Sequence, residues 1–124
     1  MLLNNLYTIQ LLSETDSQIE ATINLMADHA IFSGHFPGQP VLPGVCMMEM
    51  VAEVMSVHLR SSFRISGGPM IKFLRMIDPR INPSIHLEIK YQPSSHSIIT
   101  NGRIFSGSDV FMKFQLSLVP EFAI

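Results

Sequence analysis

Residues 35–60 read HFPGQPVLPGVCMMEMVAEVMSVHLR, and the fold turns on how that stretch divides. Pro37, Pro40 and Pro43 recur, with Gly34, Gly38 and Gly44 interspersed among and around them. The segment from Phe32 to Gly44 is therefore expected to be neither helix nor central strand, but a loop of fixed shape. From Pro43 to about Arg60 only Gly44 interrupts a run of good helix formers, and Pro43 suits a first turn, where its missing N–H is no loss. Val45, Met48, Ala52, Met55 and Leu59 form one apolar stripe. Met47, Met50, Val51, Val54 and Val57 widen it around most of the circumference, leaving Glu49, Glu53, Ser56 and Arg60 as one polar line. A helix apolar nearly all round is a buried helix, and this one is expected to carry Glu49 into that burial.

On either side the pattern is that of strands. Leu6–Leu12 and Ser17–Met26 are rich in β-formers, with Glu14, Thr15 and Asp16 as the turn between them. In the second run Ile19, Ala21, Ile23 and Leu25 alternate with Glu20, Thr22 and Asn24, as a half-buried strand requires. After Gly67-Gly68-Pro69, strands are expected at Met70–Ile77, Ile85–Gln92, Ser97–Phe105 and Val110–Val119, separated by segments of turn chemistry. Two strands, a loop, one long helix and four strands make an α+β layout, an antiparallel sheet with one helix that it must cover. Nothing divides residues 1–124, so a single domain is expected.

The chain is 47% apolar and only 15% charged, against roughly 25% charged in a typical soluble domain. Too little charge is present to coat a monomer. Val41–Leu59, the most apolar stretch, contains Glu49 and Glu53 and falls short of the roughly 20 apolar residues of a membrane span. An oligomer that hides apolar surface between subunits is the better reading. A net charge of −2 argues against a nucleic-acid partner. Cys46 is alone and implies no oxidising compartment. Met1–Tyr7 lacks the basic and small-residue features of a signal peptide, so the cytoplasm is the expected location.

The quoted stretch sets a histidine, His35, in a stiff loop and a carboxylate, Glu49, in the second turn of the following helix, with an open helix N-terminus between them. Histidine can act as a base near neutral pH. A carboxyl in apolar surroundings has its pKa raised by desolvation and can donate a proton. The free N–H groups around Gly44 and Val45, at the positive end of the helix, can receive an oxygen as negative charge develops on it. These are the parts needed to eliminate water beside a thioester carbonyl, with no metal or organic cofactor.

The segment His35-Phe36-Pro37-Gly38-Gln39-Pro40 through Pro43-Gly44 to Glu49 resembles the HFPGxPxxPGxxxxE signature of the bacterial 3-hydroxyacyl-acyl-carrier-protein dehydratases. The likeness is close from about Asp28 to Glu53 and looser elsewhere. It implies a hot-dog fold, in which the sheet wraps the long helix. It implies paired subunits whose sites take His35 from one chain and Glu49 from the other as catalytic residues. It further implies a carbonyl-binding glycine at Gly44, with Phe36, Pro43, Val45 and Glu53 expected beside it as substrate-binding residues, and a cis peptide between His35 and Phe36. The expected partner is acyl-carrier protein bearing the acyl group on phosphopantetheine. Its acidic surface would suit a basic rim, for which Arg60, Arg64, Lys72, Arg75 and Arg80 are candidates. The chain departs from the family at Glu53, where glutamine is usual, and at Asp78-Pro79-Arg80-Ile81-Asn82-Pro83, where a Pro-Gly-Asp turn is more common.

Plainer readings stand beside these. Taken alone, His35 would be a hydrogen-bonded loop residue and Glu49 a solvated one. For Glu53, solvent or a salt bridge to Arg60 is more natural than catalysis. A polyproline ligand is disfavoured by the helix that follows at once. The histidines show no zinc spacing, and Cys46 reads as core rather than nucleophile. Rival functions on this fold are thioester hydrolysis, which would not need the HFP loop, and a non-catalytic subunit, which would have no reason to keep both His35 and Glu49.

Overall fold

The computed structural model describes residues 1–34 and 38–121. Strands β1 (Tyr7–Thr15) and β2 (Gln18–Leu25) form a hairpin. Its turn residues, Asp16 and Ser17, have φ of 53° and 63°, the positive pair that lets a two-residue turn follow the strand twist. The turn lies slightly later than its Glu14–Asp16 composition suggests. In β2 the alternation holds: Ile19, Ala21, Ile23 and Leu25 are buried.

After a one-turn helix α1 (Ile31–Gly34), the long helix α2 (Gly44–Leu59) crosses the molecule. It leads to β3 (Phe63–Phe73), β4 (Ser84–Pro93), β5 (Ile98–Ser106) and β6 (Asp109–Pro120). All strand pairs are antiparallel, in the order β1-β2-β4-β5-β6-β3. This is the hot-dog architecture expected from the sequence. Cys46, Met47, Met50, Val51, Ala52, Val54 and Met55 of the helix share one core with Ile85, Leu87, Ile89, Met112, Phe114 and Leu116 of the sheet. At Gly102 of β5 a β-carbon would collide with the Glu88 carbonyl oxygen, so the close approach of β5 to β4 requires glycine there.

Helix α2 stops without a glycine. Arg60 takes the left-handed conformation (φ 55°) and donates its N–H to the Ser56 carbonyl. The Ser56 hydroxyl donates to the Ala52 carbonyl at 2.7 Å and accepts Phe63 N–H at 3.0 Å, which joins the helix end to β3.

Three expectations are corrected. The Phe32–Gly44 segment is not helix-free: Ile31–Gly34 makes one turn ahead of the first proline, started by Ile31 N–H donating to His29 Nδ1 at 3.0 Å. The third strand runs Phe63–Phe73 rather than Met70–Ile77 and passes through Gly67-Gly68-Pro69 with two register shifts. A sheet edge tolerates proline and bulges because one side of the strand has no ladder to break. Leu74–Ile77 instead leaves the sheet, with Ile77 O accepting Leu42 N–H at 2.9 Å. The helix is also not apolar-buried on every side: Val45 is 73% exposed and Val57 41%. Among the described residues no helix is long and apolar enough to cross a membrane.

Candidate active site

Helix α2 begins without a side-chain cap. Pro43 (φ −62°, ψ 146°) precedes it, and the Pro43 carbonyl accepts Cys46 N–H at 3.0 Å and Met47 N–H at 3.3 Å. The N–H groups of Gly44 and Val45 are those that a helix leaves without an internal partner, at the positive end of its dipole. Pro43, Gly44 and Val45 line an apolar cavity of about 610 Å³, together with Val41, Met48, Phe73, Leu74, Arg75 and Met76. The ring of Phe73 lies on the helix start. A β-carbon on Gly44 would be 2.7 Å from Phe73 Cζ and 2.9 Å from Cε1.

Glu49 is not in the wall of this cavity and stands exposed on another flank of the helix. The expected burial of Glu49 is thus not met within one chain. Its carboxyl is nevertheless raised above the ordinary glutamate value, first by desolvation among its neighbours and then by the charges of Glu53 and Glu121. The Met1 amino group acts in the opposite sense.

The carboxylate that does enter the core is Glu53, 4% exposed. Its Oε2 accepts Leu2 N–H at 3.0 Å, and its Oε1 accepts Leu3 N–H and the Tyr7 hydroxyl, both at 2.9 Å. Neither solvent nor Arg60 is its partner, and it does not reach the cavity where substrate contact was expected. The sequence reading failed here because the partners, two backbone N–H groups and the Tyr7 hydroxyl, lie 46 to 51 residues away, which no helical spacing reveals.

His35 and Phe36 lie outside the described residues, as does the peptide bond between them. Cys46 is buried, and burial followed by the Glu49 and Glu53 charges pushes its thiol up. That suits a core residue rather than a nucleophile. Among the described residues no group of His, Cys, Asp and Glu could hold a metal ion. Of the expected basic rim, Arg75 lines the cavity while bonded to Asp109 at 3.2 Å, and Arg80 is folded onto Asp78 at 2.9 Å. Phe73, Leu74 and Met76 form a wall that strand alternation alone did not single out, since they lie where β3 ends and the chain turns over the helix.

Residues 11–108 match the ApeI-like family, described as ApeI dehydratase. The 3-hydroxyacyl-acyl-carrier-protein dehydratase FabZ of Mannheimia succiniciproducens is 36% identical over 67 residues, covering 54% of this chain and 45% of that protein. FabZ of Lactiplantibacillus plantarum is 27% identical over 111 residues, covering 80% and 76%. The match spans about half the length of the Mannheimia relative. Among solved structures, the dehydratase heterocomplex ApeI:P of Xenorhabdus doucetiae superimposes with a TM-score of 0.69 at 20% identity, over 90% of this chain and 96% of that one. A thioesterase of Haemophilus influenzae gives 0.63 at 14% identity, over 93% and 78%. At these identities the structures speak to the fold alone.

Proposed function

The chain belongs to the ApeI-like dehydratase family, and we propose that it removes water from 3-hydroxyacyl thioesters carried on acyl-carrier protein, giving trans-2-enoyl thioesters. The observation that carries this reading is the uncapped, glycine-led start of α2, opening on an apolar cavity, with the His35-Phe36-Pro37-Gly38 motif shortly before it in the chain. In the proposed reaction the Gly44 and Val45 N–H groups receive the thioester carbonyl oxygen, where charge develops as the neighbouring carbon loses its proton. His35 takes that proton, and Glu49 gives one to the departing hydroxyl. The raised carboxyl of Glu49 supports the donor role, because it keeps the acid form to higher pH than an ordinary glutamate. Phe36 and Pro43 would flank the thioester, and the apolar wall from Val41 to Met76 would take the acyl chain.

The site is proposed to be shared between two copies of the chain. Two observations support this. Glu49 lies off the cavity that Gly44 and Val45 line, so a carboxylate reaching that cavity must come from elsewhere. Around the cavity Val45, Phe73, Leu74 and Met76 are 73%, 50–52% and 71% exposed, an apolar surface that a partner would cover. A single domain acting in the cytoplasm fits the buried, unpaired Cys46. The test is direct: incubate the purified protein with 3-hydroxybutyryl carrier protein and follow enoyl formation. Turnover is expected. Release of free acid without enoyl product would favour a hydrolase instead.

A further inference from the structure

We infer that Glu53 is a positioning residue for the acid at Glu49. Its carboxylate ties the segment before β1 to the middle of α2 and holds a negative charge one helical turn from Glu49. The inference rests on the proposed role of Glu49, and its test reads Glu49 itself as well as activity.

The geometry is specific to a carboxylate. Leu2 and Leu3 N–H can only donate, and they approach different oxygens of Glu53 at 3.0 and 2.9 Å. The Tyr7 hydroxyl, which burial and then Glu53 keep protonated, donates to the same oxygen as Leu3 at 2.9 Å. Among the described residues three donors and no acceptor meet this side chain, the pattern of an anion. A glutamine offers one acceptor oxygen and would turn an N–H₂ toward one of these donors. Glutamate therefore fits where the resemblance leads one to expect glutamine, because this chain lays its own N-terminal backbone into the site.

Glu53 and Tyr7 are 4% and 0% exposed, so the charge is poorly screened by water. Among the described residues, the charged and titratable groups that act on Glu49 or share its surroundings are Glu53 and Cys46 on its own helix, Tyr7 on β1, the Met1 amino group, and Glu121 beyond β6. Glu53 is the largest charged influence among those acting on Glu49. A fixed negative charge at that place opposes ionisation of Glu49 and keeps it a proton donor.

The experiment is a ¹³C NMR titration of glutamate-labelled protein, with amide exchange at Leu2 and Leu3 and the pH profile of dehydration. In the wild type Glu49 should titrate above an ordinary glutamate. In Glu53→Gln its midpoint should fall, Leu2 or Leu3 exchange should quicken at least about tenfold through loss of a charge-assisted hydrogen bond, and the alkaline limb of the rate should move to lower pH. Tyr7→Phe removes a hydrogen bond but no charge and should leave the Glu49 midpoint raised. A midpoint unmoved by Glu53→Gln, or an equal fall in Tyr7→Phe, overturns the inference. If Glu53→Gln does not fold, the wild-type titration decides, and a Glu49 midpoint at or below the ordinary value overturns it. Because the titration needs no substrate, loss of the dehydratase reading and loss of this inference are separate results.

Discussion

The ring of Phe73 occupies the space that a side chain on Gly44 would need, with Cζ only 2.7 Å from the ideal β-carbon position. The end of an edge strand and the start of the central helix thereby meet at the cavity mouth. Gly44→Ala should force the ring aside. Overpacking of this kind costs about 1–3 kcal/mol in a sealed core, and the lower end is expected here because Phe73 is 52% exposed and can swing outward. Activity should fall more than stability, since the displaced ring alters the cavity at the helix N–H groups. Adding Phe73→Ala should restore the Tm lost in Gly44→Ala. A double variant with no recovery in thermal melts would show that the clash is not with this ring.

Glu49→Gln should separate activity from stability. A carboxyl whose folded pKa lies above its unfolded one adds stability at low pH that is lost as pH rises through the folded value. Glu49 is raised, by desolvation and then by Glu53, so the neutral amide should leave the protein at least as stable as wild type at pH 8. The two should converge toward acid pH. Dehydration should drop at least about 10²-fold, as for loss of a positioned acid. Melting curves at several pH values together with the enoyl assay check both halves, and a variant clearly less stable at pH 8 would contradict the first.

Glu14 has the opposite sign. His58 Nε2 lies 2.7 Å from Glu14 Oε1, and the Tyr91 hydroxyl donates to the same oxygen at 2.9 Å. The His58 contact first, then Tyr91, hold the Glu14 carboxyl below its ordinary value of 4.5. Its stabilising contribution is present above that ordinary value and is lost as pH falls through the lowered one. Urea midpoints should therefore decline below about pH 4.5, and Glu14→Gln should make that decline shallower. Because Glu14 lies at the surface, the effect should be small and should shrink further in high salt. An unchanged slope would remove Glu14 from the acid response.

How far the sequence reaches can be seen residue by residue. The order of elements was legible because β2 alternates with period two and α2 repeats at three and four; the β2 alternation survives into burial, whereas the buried face of α2 is carried by Cys46, Met47, Met50, Val51, Val54 and Met55 rather than by the stripe that starts at Val45. The path of β3 was not, since Gly67-Gly68-Pro69 has breaker chemistry and only an edge position, a property of the whole sheet, lets a strand pass through it. At the site, Pro43, Gly44 and Val45 do share a cavity. Two of the three partners of Glu53 were hidden, because Leu2 and Leu3 contribute backbone N–H groups that carry no residue signature, and the third, the Tyr7 hydroxyl, comes from a strand 46 residues away. Glu49 was expected in a buried setting that a single chain does not supply.

The central claim is a site assembled from His35 of one subunit and Glu49 of another, and subunit mixing tests it most directly. His35→Ala and Glu49→Ala should each be inactive alone. Mixed under conditions that exchange subunits, about half of randomly paired dimers are mixed. Each mixed dimer holds one site with intact His35 facing intact Glu49, so about a quarter of wild-type dehydration should return by two-fold symmetry. No recovery, with exchange verified independently by a mass tag, would contradict the shared site.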